Sequence, residues 1–402
     1  MEKEPHELPL PRKEFIFLMA LLMAMGAIAV DMLLPTLAQI RTDFALENAN
    51  GQQMVVYVYV AGLGIAQLFF GPLSDHFGRR PILLISVLGY VISAFLCALA
   101  AGFSLLLLAR FSQGVFASGT RVVAMSIIRD VSSGDRMAQL VSVILTIYLF
   151  TPMIAPISGQ YISLFWGWEL VFYTLSFLAF LIFLWVLKRL PETRPSALSS
   201  NSDIRKTLSN YVHILSSKQT LAYLLAASTS IGGLYAVLST SQQIFSDTFQ
   251  QGHLFGVWFA FLAIFPIGFN LAVSRFVRKI GVKRLIYLTL AFNLAFCLLN
   301  IGAMHVTKGL FFAFLPLIAI NFGIYAVLFG NFIALIMKPF GDKAGAAAGI
   351  YGLATTTLAS GFGYLISSRF DGSIQPFLIG LLLLGLLSMF CMLLADTQKE
   401  MN

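Results

Sequence analysis

A chain of 402 residues that is 58% hydrophobic and 11% charged, with mean hydropathy +0.85, has too little polar surface to cover itself in water. A soluble fold is excluded, and so is a disulfide or CxxC framework, because Cys97, Cys297 and Cys391 are far apart and each lies inside an apolar run. The net charge of +8 would suggest nucleic acid in a soluble protein, but here it follows membrane sidedness.

The apolar residues form twelve runs, at 14–38, 53–73, 81–101, 103–127, 138–163, 168–187, 219–245, 254–275, 284–304, 309–337, 344–367 and 375–395. Each is near the ~20 residues needed to cross about 30 Å of hydrocarbon. The expected fold is therefore all-α and polytopic, with twelve transmembrane helices. Residues 1–14 mix acids with bases and no small-residue cleavage site follows, so the first run is read as a retained span. With the N-terminus inside, 21 of the 26 Lys and Arg fall on the inner side and only Arg41, Lys308 and Arg369 outside. Both termini are expected to be cytoplasmic.

The first run contains Asp31, a carboxylate deep in a span, where a charge costs about 2.5 to 3.5 kcal/mol on insertion scales. The second and third runs are separated by a ten-residue polar segment, Gly71-Pro72-Leu73-Ser74-Asp75-His76-Phe77-Gly78-Arg79-Arg80, read as a charged loop. In it Gly71 and Gly78 are expected to allow close backbone approach. Pro81 opens the next helix, and Asp75 caps a helix start or pairs with a base such as Arg129. In the fourth run Arg110, Gln113, Gly114, Ala117, Ser118 and Arg121 share one face. Arg110 lies at about the depth of Asp31, which makes it the candidate counter-ion. Arg121 either snorkels to the interface or faces a cavity. In the fifth run Pro152 and Pro156 remove backbone donors, and with Gly159 they permit a bend and close packing.

After the sixth run, residues 191–218 form the one long polar stretch, dividing the chain into a 1–190 bundle and a 219–402 bundle of six helices each. Pro191-Glu192-Thr193-Arg194-Pro195-Ser196 reads as linker. Beyond it Ile204, Leu208, Tyr211, Val212 and Leu215 recur at helical spacing, as a helix on the inner membrane surface or a simple tether. A weak echo of the 71–80 segment, Arg278-Lys279-Ile280-Gly281-Val282-Lys283-Arg284, follows the eighth run without an acid. Polar side chains within spans, Tyr57, Gln67, Tyr148, Tyr235, Asn270, Asn321 and Tyr325, together with Arg121, are candidate substrate-cavity residues.

Four of these segments resemble the major facilitator superfamily, and more narrowly its Bcr/CflA type of drug:proton antiporter. Gly71 to Arg80 resembles the signature between the second and third helices, with His76 where a base is usual. Leu108-Ala109-Arg110-Phe111-Ser112-Gln113-Gly114 is similar to the fourth-helix signature, and Pro152 to Gln160 to the antiporter signature of the fifth, with Gln160 replacing its second glycine. Asp31-Met32-Leu33-Leu34-Pro35 resembles the subfamily's Asp-Met-Tyr-Leu-Pro. The resemblance implies two six-helix halves that alternate access, with Gly71, Asp75, Gly78, Arg79, Arg80 and Arg129 controlling the conformational change. It ties the Pro152, Pro156 and Gly159 bend to exchange. Asp31 is read as carrying the proton and Arg110 as tuning it; the plainer alternative is a permanent ion pair fixing helix one against helix four.

The expected function is proton-coupled export of amphipathic small molecules across a bacterial inner membrane. The alternative is a dedicated exporter of a cell product such as a carboxylate siderophore, and a non-transporting sensor is less favoured. A monomer working on a small molecule and protons in a lipid bilayer is expected, without cofactor, metal or nucleic acid. No HExxH spacing and no GxxxxGK[ST] loop is present. Enzyme chemistry is not expected.

Overall fold

The computed structural model describes residues 8–194, 204–307 and 309–400, and among them there is helix but no strand. Among the described residues, ten helical segments are long and apolar enough to cross a membrane. The helices are α1 (Arg12–Asp31), α2 (Leu37–Asp43), α3 (Met54–Phe77), α4 (Arg79–Ala98), α5 (Phe103–Val131), α6 (Gly134–Leu149), α7 (Thr151–Trp166) and α8 (Trp168–Arg189). They continue with α9 (Ile204–Leu215), α10 (Lys218–Gln243), α11 (Phe255–Ile280), α12 (Val282–Val306), α13 (Phe311–Met337), α14 (Ala344–Leu353), α15 (Ala359–Ser367) and α16 (Gln375–Glu400). The fourth expected span, α5, is not among the ten, because Arg110, Gln113 and Arg121 dilute its apolar character. The eleventh is α14 and α15, joined through a π-helical turn at Ala354–Leu358. Residues 195–203 of the linker reading lie outside the described residues, as do residues 1–7.

Two features depart from the sequence reading. The 71–80 segment is not a loop: α3 runs through it to Phe77 and α4 starts at Arg79, leaving Gly78 alone outside helical geometry at φ 105°. Pro72 sits inside α3 at the cost of one backbone hydrogen bond. The first span, in turn, is broken. A proline ring clashes with the carbonyl four residues earlier, and for Pro35 that residue is Asp31, where α1 stops. The chain tightens through Leu33 N–H to the Val30 carbonyl (3.0 Å) into a short 3₁₀ turn, Leu34–Thr36, and then resumes as α2.

The chain forms two compact units, one of residues up to Thr36 with Val58–Thr207, the other of Leu37–Tyr57 with Leu208–Asn402. In the first, α1 buries Phe15, Leu18, Met19 and Leu22, and its first turn is held by Glu14, which accepts from Trp185 Nε1 (3.0 Å) and pairs with Arg189. In the second, Leu37–Tyr57 is held by an Arg41–Asp247 pair (3.6 Å) and by neutral groups from Asn50 to Tyr57. Asn50 Nδ2 donates to the Phe370 carbonyl (2.9 Å), Gln53 meets Gln243, and the Tyr57 hydroxyl meets Ser239 and Ser367. Elsewhere in that unit, Asp396 on α16 receives Lys283 Nζ (2.6 Å) and the Tyr287 hydroxyl (2.8 Å). The echo segment thus obtains its acid from the last helix.

Candidate functional site

In the first unit, apart from the Glu14–Arg189 pair, two gatherings of charged residues among the described residues bear on function. One is the junction of α3 and α4. Arg79 is buried and forks onto Asp130, with Nε 2.7 Å from one carboxylate oxygen and Nη2 3.4 Å from the other; Nη1 donates to Ser74 Oγ (2.7 Å). Asp75, one turn before it, pairs with the same guanidinium. The expected Asp75–Arg129 pair is therefore replaced by an Asp75–Arg79–Asp130 triad, because the tight junction at Gly78 sets the first residue of α4 beside the last turn of α3. Arg129 is exposed.

The open end of α4 is closed by a residue that the sequence reading left in the linker. Glu192 accepts from the backbone N–H groups of Arg79 (2.9 Å), Arg80 (3.1 Å), Thr193 (3.0 Å) and Arg194 (2.9 Å). The first helical turn has orphan donors only at Arg79 and Arg80, since Pro81 has none, and one carboxylate satisfies both. Gly78 leaves the room: a Cβ there would lie 2.6 Å from Glu192 Oε2. Arg194 Nη1 donates to the carbonyls of Asp75 (3.3 Å) and His76, so a cation meets the C-terminal end of α3 while an anion meets the N-terminal end of α4. Gly71 makes no close backbone approach, its nearest neighbour being the Val122 side chain at 4.0 Å from a built Cβ.

Partial burial pushes the Glu192 carboxyl up, but the four N–H bonds outweigh it and hold it below the usual carboxylate range. A depressed folded pKa gives stability that is complete above the unfolded value of about 4.3 and is lost as pH falls through the folded value. Replacing Glu192 with Ala is expected to cost about 1 kcal/mol, the scale of a helix N-cap. Thermal unfolding of the purified protein at pH 7 and near pH 4 checks both statements: the difference between wild type and variant should shrink at the acid end.

The second gathering surrounds the break after Asp31. Asp31 is buried, and among the described residues no hydrogen bond or ion pair reaches its carboxylate. The expected pairing with Arg110 is absent. Arg110, fully buried on α5, donates instead to Gln113 Oε1 (2.7 Å) and to the Ala29 carbonyl (3.4 Å), with the Tyr59 ring 4.2 Å and the Phe172 ring 5.6 Å from its guanidinium carbon. The physical reason is the helix end itself: carbonyls left over where α1 stops attract a cation as a carboxylate would. The Tyr59 hydroxyl donates to Gly26 O (3.0 Å), more than one turn before the end of α1. Tyr148 on α6 lies within electrostatic reach of both Asp31 and Arg121.

Arg121 is exposed and lies eleven residues from Arg110, only ~20° away around the helix, whereas Leu108, which is 63% exposed, lies ~140° from it. It also stands nine residues, or about 13 Å of helix, from Asp130 in the charged cluster. Arg121 therefore opens on the side of Arg110 and away from the apolar exposed face.

The other cavity candidates are dispersed. Tyr57 and Tyr235 belong to the bonded network of the second unit, Asn321 and Tyr325 are buried in its core, Asn270 is exposed and donates to Pro266 O (2.9 Å), and Gln67 is half-buried on α3. Tyr59, Asp130 and Glu192 are the contributors that sequence reasoning did not single out. For Asp130 a signal was present, an acid directly beside Arg129 at a span end.

The sequence matches the Major Facilitator Superfamily over residues 16–364. It is 28% identical over 356 residues to the "Uncharacterized MFS-type transporter YdgK" of Bacillus subtilis, covering 87% of each chain. It is 27% identical over 372 residues to the "Bicyclomycin resistance protein homolog" of Haemophilus influenzae, covering 90% of this chain and 91% of that one. The "Multidrug resistance protein MdtL" of Salmonella paratyphi B is 35% identical over 189 residues, 46% of this chain and 47% of that protein. Among solved structures, a D-xylose-proton symporter aligns with TM-score 0.72 at 17% identity, covering 94% of this chain and 97% of that one, a likeness of fold. With a helical polytopic fold, a match across most of its length and relatives of the Bcr/CflA drug-resistance type, this chain belongs to the Major Facilitator Superfamily and is a membrane transporter.

Proposed function

We propose that this transporter is a proton-coupled antiporter that exports amphipathic small molecules across a bacterial inner membrane, with both termini cytoplasmic and the 1–190 and 219–402 halves alternating access as a monomer. The observation that carries the reading is Asp31, a buried carboxylate at a helix break with no cation on it. Left charged it costs several kcal/mol, and a proton removes that cost. The resistance names of two relatives support export of drug-like compounds. One proton moving down about 180 mV supplies roughly 4 kcal/mol, enough for a gradient near a thousandfold.

Exchange requires that proton and cargo exclude each other, and linkage then makes cargo affinity fall as pH falls. A neutral or cationic amphipath that uses the free carboxylate of Asp31 obeys this rule. Arg121 favours a second reading, a dedicated exporter of a carboxylate product, because it is an exposed guanidinium on the face of Asp31 and Arg110. An anion would bind best with Asp31 protonated, so its affinity would rise as pH falls, and its export would run down its own gradient and not in exchange for a proton. Binding of a fluorescent amphipath to purified protein between pH 5 and 8 separates the two. We expect weaker binding at pH 5; tighter binding at pH 5 would overturn exchange in favour of the anion reading. Comparing secreted metabolites and drug susceptibility of cells with and without the protein then identifies the cargo class.

A further inference from the structure

The backbone on either side of Asp31 is held by different helices, α5 and α3 before it and α7 after it. On the N-terminal side Arg110 and Tyr59 bond the carbonyls of Ala29 and Gly26. On the C-terminal side α7 presses against Met32: a Cβ built on Gly159 would lie 1.9 Å from the Met32 carbonyl oxygen, 2.7 Å from its carbon and 2.8 Å from its Cα. Gly159 is buried, and so are Ala155 and Pro156 on the same helix. The approach is backbone on backbone, with no flexible side chain to absorb a displacement. Pro156 lacks the N–H that would bond the carbonyl of Pro152, so α7 is weakest less than one turn before the contact.

We propose that Gly159 is the positioning residue for Asp31, transmitting any bending of α7 at Pro156 through the Met32 backbone to the carboxylate. The inference rests on the reading of Asp31 as the proton carrier. Bending at Pro156 moves Gly159, Gly159 moves the peptide next to Asp31, and the break at Pro35 lets that peptide yield without dragging the rest of the span. The charged and titratable groups facing this end of α1 are Arg110 from α5, Tyr59 from α3 and Tyr148 from α6, with Arg121 beyond Tyr148. From α7 the nearest such group is Tyr161, which is 61% exposed and turned outward. From α8, Arg189 is engaged with Glu14 at the opposite end of α1.

A hydrophobic carbodiimide, which attaches to protonated carboxyls shielded from water, gives a readout besides transport. Labelling of the full-length protein in liposomes is followed against pH for wild type, Asp31→Asn, Gly159→Ala, Pro156→Ala and Gly363→Ala. The last strains a backbone contact in the other unit, with a built Cβ 3.0 Å from Gly232 O. Gly159→Ala is expected to move the midpoint of Asp31-dependent labelling by about one pH unit or more, the scale of an ordinary environmental shift, while Gly363→Ala leaves it in place. Pro156→Ala introduces no clash and serves if Gly159→Ala does not fold. Unchanged midpoints in both folded α7 variants, or in Pro156→Ala alone if only it folds, would overturn the inference. Proton-coupled transport surviving in Asp31→Asn would instead remove the reading beneath it.

Discussion

Asp31→Asn is expected to abolish uphill export. With the proton's ~4 kcal/mol no longer coupled, the cargo gradient in energised vesicles should collapse from near a thousandfold to near one. The amide is nearly isosteric with the carboxylate and carries no charge, so removing a buried unpaired acid should leave thermal stability equal or higher. That combination distinguishes lost coupling from lost folding. Downhill movement of cargo should persist, because the variant still has the rest of the site. Export that stays uphill and pH-dependent in Asp31→Asn would eliminate Asp31 as the carrier.

Arg79→Ala should be the most destabilising single change at the charged junction. The guanidinium is buried, with Asp130 forked onto it, Asp75 beside it and Ser74 accepting its remaining bond. Its removal leaves two carboxylates side by side, one of them buried, and breaking such a pair costs about 3 to 5 kcal/mol. The Asp75 arm contributes less, since its side chain is 41% exposed. Arg79→Lys keeps the charge but loses the fork and should fall between wild type and Ala. Thermal unfolding of purified variants in one detergent ranks the three; an Ala variant as stable as wild type would show that the triad is not structural.

Much of the fold was legible because a bilayer dictates run lengths. The expected 103–127 and 344–367 spans reappear as Phe103–Val131 and as the segment from Ala344 to Ser367. Asp31 and Arg110 were legible for the same reason, as charges where charges are costly. Their relation was not. Equal depth says nothing of rotation, and the cation's partners turned out to be the Gln113 amide and a carbonyl near a break that Pro35 imposes. The 71–80 segment misled through its polarity: it looked like a loop, yet it is two helix ends meeting at Gly78, with Asp75 and Arg79 paired across the junction. Glu192 was hidden because its four partners are backbone N–H groups, which leave no trace in side-chain identities. At Gly78 the expected close approach is of a side chain, the Glu192 carboxylate, and not of backbone.

Glu192 lies just past the sixth span and closes the start of the third; Asp396, near the end of the twelfth, ties down Lys283 at the start of the ninth. Each clasp joins a late segment of its unit to an earlier one, which bears on synthesis. A nascent chain can insert its first five spans and still lack the anion that secures α4, so the first unit becomes complete only when residue 192 has left the ribosome. The second waits for residue 396. Quality control during biogenesis would then read the two clasps as signs of completion, and truncation shortly before either one should leave a fully inserted but unlatched, protease-sensitive product.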